Sequence, residues 1–88
     1  MQFVVYIMYS ASRDRYYTGQ TSDLSKRISQ HNAGYDRYTR SGIPWELKYT
    51  EEYQTRREAM RREREIKAKK SRSYLEGLIR KFRGERPE

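Results

Sequence analysis

Phe3 to Tyr9, FVVYIMY, is the longest unbroken apolar run in the chain. β-branched and aromatic residues dominate it, which predicts a strand. Alternation puts Phe3, Val5, Ile7 and Tyr9 on one face and Val4, Tyr6 and Met8 on the other. A polar SASRDR turn and a second short run, YYTGQ, then predict an antiparallel hairpin. From Thr21 the spacing becomes helical. In TSDLSKRISQHNAG, Thr21 or Ser22 can cap a helix, Asp23 sits in its positive first turn, and Gly34 suits the C′ position. Residues 34 to 45 read as a loop, and ELKYTEEY as a third strand with Leu47 and Tyr49 on one face. Thr55 at N-cap and Glu58 at N3 form a capping box that opens a helix running to about Lys69. KKSRS breaks the pattern, and Ser73 with Glu76 offers a second box. Tyr74, Leu75, Leu78, Ile79 and Phe82 follow as an apolar stripe at helical spacing, which is ordinary core packing. The final GERPE reads as a frayed tail. The order β-β-α-β-α-α predicts an α/β fold of the α+β type. It is a small, mainly antiparallel three-stranded sheet flanked by helices, one domain over residues 1 to 83 with a tail over 84 to 88.

Composition changes this picture in two ways. Leu, Ile, Val and Phe total only 13 of 88 residues, a fraction that with high net charge often means disorder. Nine tyrosines, three methionines and one tryptophan supply as many large side chains again, so the expectation is a folded domain whose core leans on tyrosine. The second change is charge. Twenty Lys and Arg against twelve Asp and Glu give a net +8, which favours nucleic acid as the partner class over a membrane surface. Much of this charge lies in one run, Arg56 to Arg72, which a solvated helix face could also carry. The absence of cysteine excludes disulfides, thiolate zinc sites and cysteine nucleophiles. A single histidine excludes a multi-histidine metal cage. The run at 3 to 9 is too short to span a bilayer and has no basic region before it, so the expected compartment is the cytosol.

Some polar residues fall where packing residues belong. On the first helix Leu24 and Ile28 define the buried direction, and His31 lies ~20° from Leu24 with Arg27 ~60° away. Both therefore turn toward the sheet and its tyrosines, and two such groups invite an anion, phosphate being a natural one. The plain alternative is a histidine at the rim of the core with one hydrogen bond. On the second helix Ala59, Met60 and Ile66 define the inner face, and Glu63 falls in the middle of it. An inward carboxylate must be paired or metal-bound, so Glu63 is either a metal ligand or half of an ion pair with Arg27 or Lys67. The strands add Tyr6 and either Tyr16 or Tyr17, and Gly19 leaves room for a close approach.

The ordered set resembles the GIY-YIG nuclease superfamily, and most closely its small stand-alone bacterial members. The first motif is similar to VVY with Tyr6, and the second to YTG with Tyr17. The helix arginine corresponds to Arg27, the residue one turn on to His31, and the metal-binding glutamate to Glu63 within EAMRREREIK. RSGIPWELKYTEEY and EAMRREREIKAKKSR also look like that subgroup. Val4, Val5 and Thr18 depart from the literal triplets, Gln20 stands where some members have lysine, and no late asparagine is present.

The resemblance implies metal-dependent endonucleolytic hydrolysis of phosphodiesters, most naturally of DNA, in repair or processing. One inward carboxylate suits one Mg²⁺ or Mn²⁺ that keeps several waters, whereas a two-metal site needs more carboxylates. The resemblance gives Arg27 the role of clamping phosphate oxygens, Tyr6 that of base, Tyr17 that of water positioning, and His31 that of relaying the tyrosine proton. The alternative is a catalytically weak or inactive nucleic-acid-binding module of the same fold. In that reading the basic helix contacts phosphates and Trp45 or loop tyrosines stack on bases. A protein-interaction domain has no specific feature in its favour.

Overall fold

A computed structural model describes residues 2–84. Strand β1 (Phe3–Ser10) forms a hairpin with β2 (Arg15–Thr21). Helix α1 (Leu24–Asn32), a single 3₁₀ turn at Arg40–Gly42, strand β3 (Trp45–Tyr53), and helices α2 (Arg56–Lys69) and α3 (Arg72–Phe82) follow. The predicted element order and the antiparallel sheet are both present, with strand order β2-β1-β3. The long apolar run is the central strand, which explains why both its faces are apolar. Tyr6, Met8 and Trp45 pack under Leu24 and Ile28 of α1. On the opposite face Val5 packs with Ala59 and Ile66 of α2, and Ile7 with Tyr49 and Ile79 of α3. Val5, Tyr6, Ile7 and Met8 are essentially inaccessible, and burial of each such side chain contributes about 1.5–3 kcal/mol.

Four local expectations are corrected. Asp23 itself is the N-cap of α1, its carboxylate accepting from the Lys26 N–H at 3.1 Å, in place of Thr21 or Ser22. Ser71, not Ser73, caps α3 through the Tyr74 N–H, and Glu76 instead accepts from Arg72 and the Tyr16 hydroxyl. Leu47 and Tyr49 do not share a face. Ile7 pairs with Tyr49 and Met8 with Leu47, so Lys48 is an extra residue in β3, and this bulge moves the two side chains to opposite sides. Met60 is 42% exposed and leaves the inner face of α2 to Ala59 and Ile66. The capping box of α2 is present in part: Thr55 Oγ1 accepts from the Glu58 N–H, and the Glu58 carboxylate returns to the Thr55 hydroxyl. Of the expected tail, Gly84 closes the last turn of α3 onto the Lys81 carbonyl. Residues 85–88 lie outside the described residues.

An ion pair with no signature in the sequence joins β3 to α2. Arg62 Nε and Nη2 donate to both oxygens of Glu51 at 2.9–3.2 Å, and the Tyr49 and Tyr53 hydroxyls donate to the same carboxylate. Burial pushes the Glu51 carboxyl up, but Arg62 and the two hydroxyls outweigh it and hold it below the usual range. Its folded pKa is depressed, so it adds stability above the ordinary carboxylate range and loses it as pH falls through that range. Breaking the pair with Arg62→Met is expected to cost about 2–3 kcal/mol. That is less than a fully buried pair costs because both groups keep some solvent contact. A urea midpoint shifted by less than about 0.5 kcal/mol equivalent would contradict this.

Candidate active site

The residues singled out on β1, β2, α1 and α2 meet at the β2 side of the sheet. Tyr6 projects from β1 toward α1 and crosses over Gly19, its antiparallel partner on β2. A Cβ at Gly19 would stand 2.6 Å from the Tyr6 hydroxyl oxygen. The room that glycine leaves is therefore filled by Tyr6 itself. The Tyr6 hydroxyl lies 3.0 Å from Nε2 of His31, which is 0% exposed in the last turn of α1. Tyr17 is on the same sheet face, its ring centroid 5.1 Å from the His31 ring and 6.3 Å from that of Tyr6. Tyr16 points to the other face and packs with Tyr9 and the Ile7 cluster.

His31 does more than sit at the rim. Its Nδ1 lies 2.8 Å from the Thr39 hydroxyl, which is within 3.4 Å of the Asp36 carbonyl. A proton on Nδ1 gives every donor an acceptor: Nδ1–H to Thr39, Thr39 O–H to Asp36, and Tyr6 O–H to Nε2. This tautomer, assigned from the network, leaves the Nε2 lone pair facing the tyrosine. Burial and the nearby Arg27 charge push the His31 pKa down, with Asp36 opposing, so the ring is neutral at pH 7. Burial, helped by Tyr17 and opposed by Arg27, pushes the Tyr6 hydroxyl up to about 12. The pair is thus a protonated tyrosine presented to a neutral imidazole.

The histidine shift also makes a stability prediction. His31 is the chain's sole histidine. The unfolded chain takes up a proton near pH 6.5 and the folded chain at lower pH, so stability falls as pH drops through that interval. The imidazole NMR titration midpoint is expected below 6.5, with a urea midpoint that falls between about pH 7.5 and 5.5. A midpoint above 6.5 would contradict the assignment.

Arg27 meets an anion from the chain itself. Its Nη2 is 3.1 Å from Asp36 Oδ2, and Nη1 reaches Gln30 at 3.4 Å, which orients the guanidinium beside Tyr6. Glu63 is 21% exposed and paired with Lys67 at 2.7 Å, one turn along α2. Of the two partners expected for it, Lys67 is the one found. The Lys67 ammonium in turn lies 5.8 Å from the Tyr17 ring centre. Glu63 is near enough to Tyr6 for its charge to raise the hydroxyl's pKa, so all five predicted residues converge.

Metal binding can be tested against this donor set. Among the described residues no three His, Asp or Glu side chains gather as a cation cage. Glu63 is a single, mostly buried carboxylate whose counter-charge, Lys67, is half exposed. That donor set fits a hard cation held by one carboxylate, substrate oxygens and water, and does not fit a two-metal site.

Thr39 and Asp36 were not evident from the sequence. The one hint was a lone carboxylate in a basic loop, YDRYTRSG. Asn32 and Trp45 hold that loop in place. The Asn32 amide donates to the Trp45 carbonyl and accepts from its N–H, and the indole N–H donates to the Thr39 carbonyl. Trp45 is therefore buried packing and presents no stacking surface.

Residues 2–76 match the family described as the GIY-YIG catalytic domain. A UPF0213 protein of Halobacterium salinarum is 44% identical over 76 residues, covering 85% of this chain and 96% of that protein. Another, of Bacillus pumilus, is 45% identical over 66 residues, covering 70% and 67%. The solution NMR structure of a UPF0213 protein from Bacillus halodurans superposes with a TM-score of 0.55 at 38% identity, over 90% of this chain and 83% of that one. The chain belongs to the GIY-YIG family, a nuclease superfamily acting on nucleic acids, and its similar relatives span archaea as well as bacteria.

Proposed function

We propose that this GIY-YIG domain is an endonuclease that hydrolyses phosphodiester bonds in DNA, in DNA processing or repair, with one Mg²⁺ or Mn²⁺. The observation that carries the reading is the Tyr6 hydroxyl, 3.0 Å from the Nε2 of a buried, neutral histidine. At a pKa of about 12 only about one Tyr6 in 10⁵ is ionised at pH 7, so tyrosine alone is a poor base. With His31 behind it, the proton has a route. Water attacks phosphorus and gives its proton to the Tyr6 oxygen as Tyr6 passes its own to Nε2. The phosphorus–oxygen bond to the leaving strand breaks, its electron pair staying on the departing oxygen, which takes a proton from solvent water. Thr39 keeps Nδ1 protonated and so keeps Nε2 open. Arg27, aimed by Asp36, clamps the non-bridging oxygens and stabilises the charge that grows on them. Tyr17 positions the attacking water. Glu63 would hold the cation, which when bound neutralises charge on the phosphate and the departing oxygen.

The test uses labelled single-stranded, duplex and branched DNA, with Mg²⁺ or Mn²⁺ and then with EDTA, beside Glu63→Gln. The expected result is cleavage that needs the metal and is lost in the variant. Binding with no cleavage of any of these substrates would leave the nucleic-acid-binding module as the better reading.

A further inference from the structure

Next to the tyrosine–histidine pair, Tyr38 stands 80% exposed on the loop after α1, with no hydrogen-bond partner for its hydroxyl among the described residues. Three adjoining concavities share Tyr38 and Tyr16 in their walls, and the largest holds about 550 Å³ between β2 and the α2–α3 junction. The Tyr17 ring forms part of the same surface, 6.2 Å from that of Tyr38. The walls carry cations: Arg15 on one side, Lys67 and Lys70 on the other. Asp14, the acidic residue in this lining, is neutralised by Arg72 at 2.5 Å. Lys70, by contrast, has no carboxylate partner among the described residues.

An exposed ring in a cationic groove suits a ligand with flat apolar faces and a negative backbone. That combination is a nucleic-acid strand, and base–aromatic stacking with backbone tracking is how such strands are held. Inside a duplex both faces of each base are covered by neighbouring base pairs, so away from the ends Tyr38 has no face to stack on. We infer that the groove seats an unpaired nucleotide of the substrate strand, its base against Tyr38 and its phosphates along Lys67 and Lys70. This rests on the nucleic-acid reading above and narrows its substrate class to single strands or duplexes with an unpaired nucleotide beside the cut.

The experiment is binding in EDTA, where cleavage plays no part. Labelled single-stranded and fully paired oligonucleotides of one sequence are titrated with the intact protein, and a 2-aminopurine in the strand reports stacking. Expected are tighter binding of the single strand and quenched 2-aminopurine. Tyr38→Ala should weaken single-strand binding about tenfold and remove the quench, while Tyr38→Phe and Tyr38→Trp preserve both. The backbone at Lys70 has φ +48°, which asparagine tolerates. Lys70→Asn should therefore remove charge without strain and lower the salt slope by about one. Tyr38→Ala binding single strands as the wild type does, duplex bound as tightly as single strand, or poly-glutamate competing as well as the oligonucleotide would each overturn the inference. Quenching at Tyr38 with no cleavage once Mg²⁺ is restored would support this groove and sink the hydrolytic reading alone.

Discussion

Glu63→Gln is expected to lower the single-turnover rate of strand cleavage by about 10³-fold or more, ~4 kcal/mol of transition-state stabilisation. The substitution is nearly isosteric, and its amide oxygen can still accept from Lys67. The inner face of α2, set by Ala59 and Ile66, is untouched, so stability should move by less than about 1 kcal/mol. Removing a negative charge from beside Tyr6 eases ionisation of the hydroxyl, so the loss could not be blamed on a tyrosine that gives up its proton less readily. Affinity for DNA should hold or rise slightly, since one repulsive charge is gone. A variant within tenfold of the wild-type rate at saturating Mg²⁺ would remove Glu63 from the metal's coordination.

Tyr6→Phe should cost about 10²–10⁴ in rate, the usual scale for a general base, with Tyr17→Phe costing less. The change leaves Nε2 of a buried ring without its donor, which is expected to destabilise the fold by about 1–3 kcal/mol. The pH profile separates the chemical role from this structural one. His31 can accept a proton only when neutral, so the wild-type rate should fall as pH drops through the lowered histidine range. The residual activity of Tyr6→Phe should lack that limb. Full activity in both tyrosine variants would exclude a tyrosine base.

The strands and helices were readable because their signals are local: a β-branched and aromatic run, Thr55 capping α2, a glycine with φ +82° at the end of α1. The inward turn of His31 and Glu63 was readable for the same reason, since a helix fixes which residues share a face. Features set by long-range pairing were not. Lys48 bulges because both Leu47 and Tyr49 find partners on the central strand, and nothing within ELKYTEEY announces that. Arg62 lies in a run of basic residues, and only the approach of Glu51 distinguishes it. Thr39 holds His31 from an irregular loop whose path depends on Asn32 clasping Trp45, a contact with no periodic signature. Met60 has the apolar character of an inner residue but is 42% exposed, and the inner face is held by Ala59 and Ile66.

The β2-β1-β3 order puts β1 at the centre of the sheet, and the carboxylate of the proposed site lies on the helix that follows the last strand. A nascent chain that has released only β1, β2 and α1 already carries both tyrosines, the arginine and the histidine, yet lacks Glu63. It also lacks β3, so one edge of its central strand is still unpaired. Non-local pairing of this kind slows folding, and here the complete proposed set waits for β3 and α2 to join the hairpin. On the proposed mechanism, a chain that has not yet folded through α2 could not cut nucleic acid, because the chemistry is divided between the hairpin with α1 and the helix that follows β3.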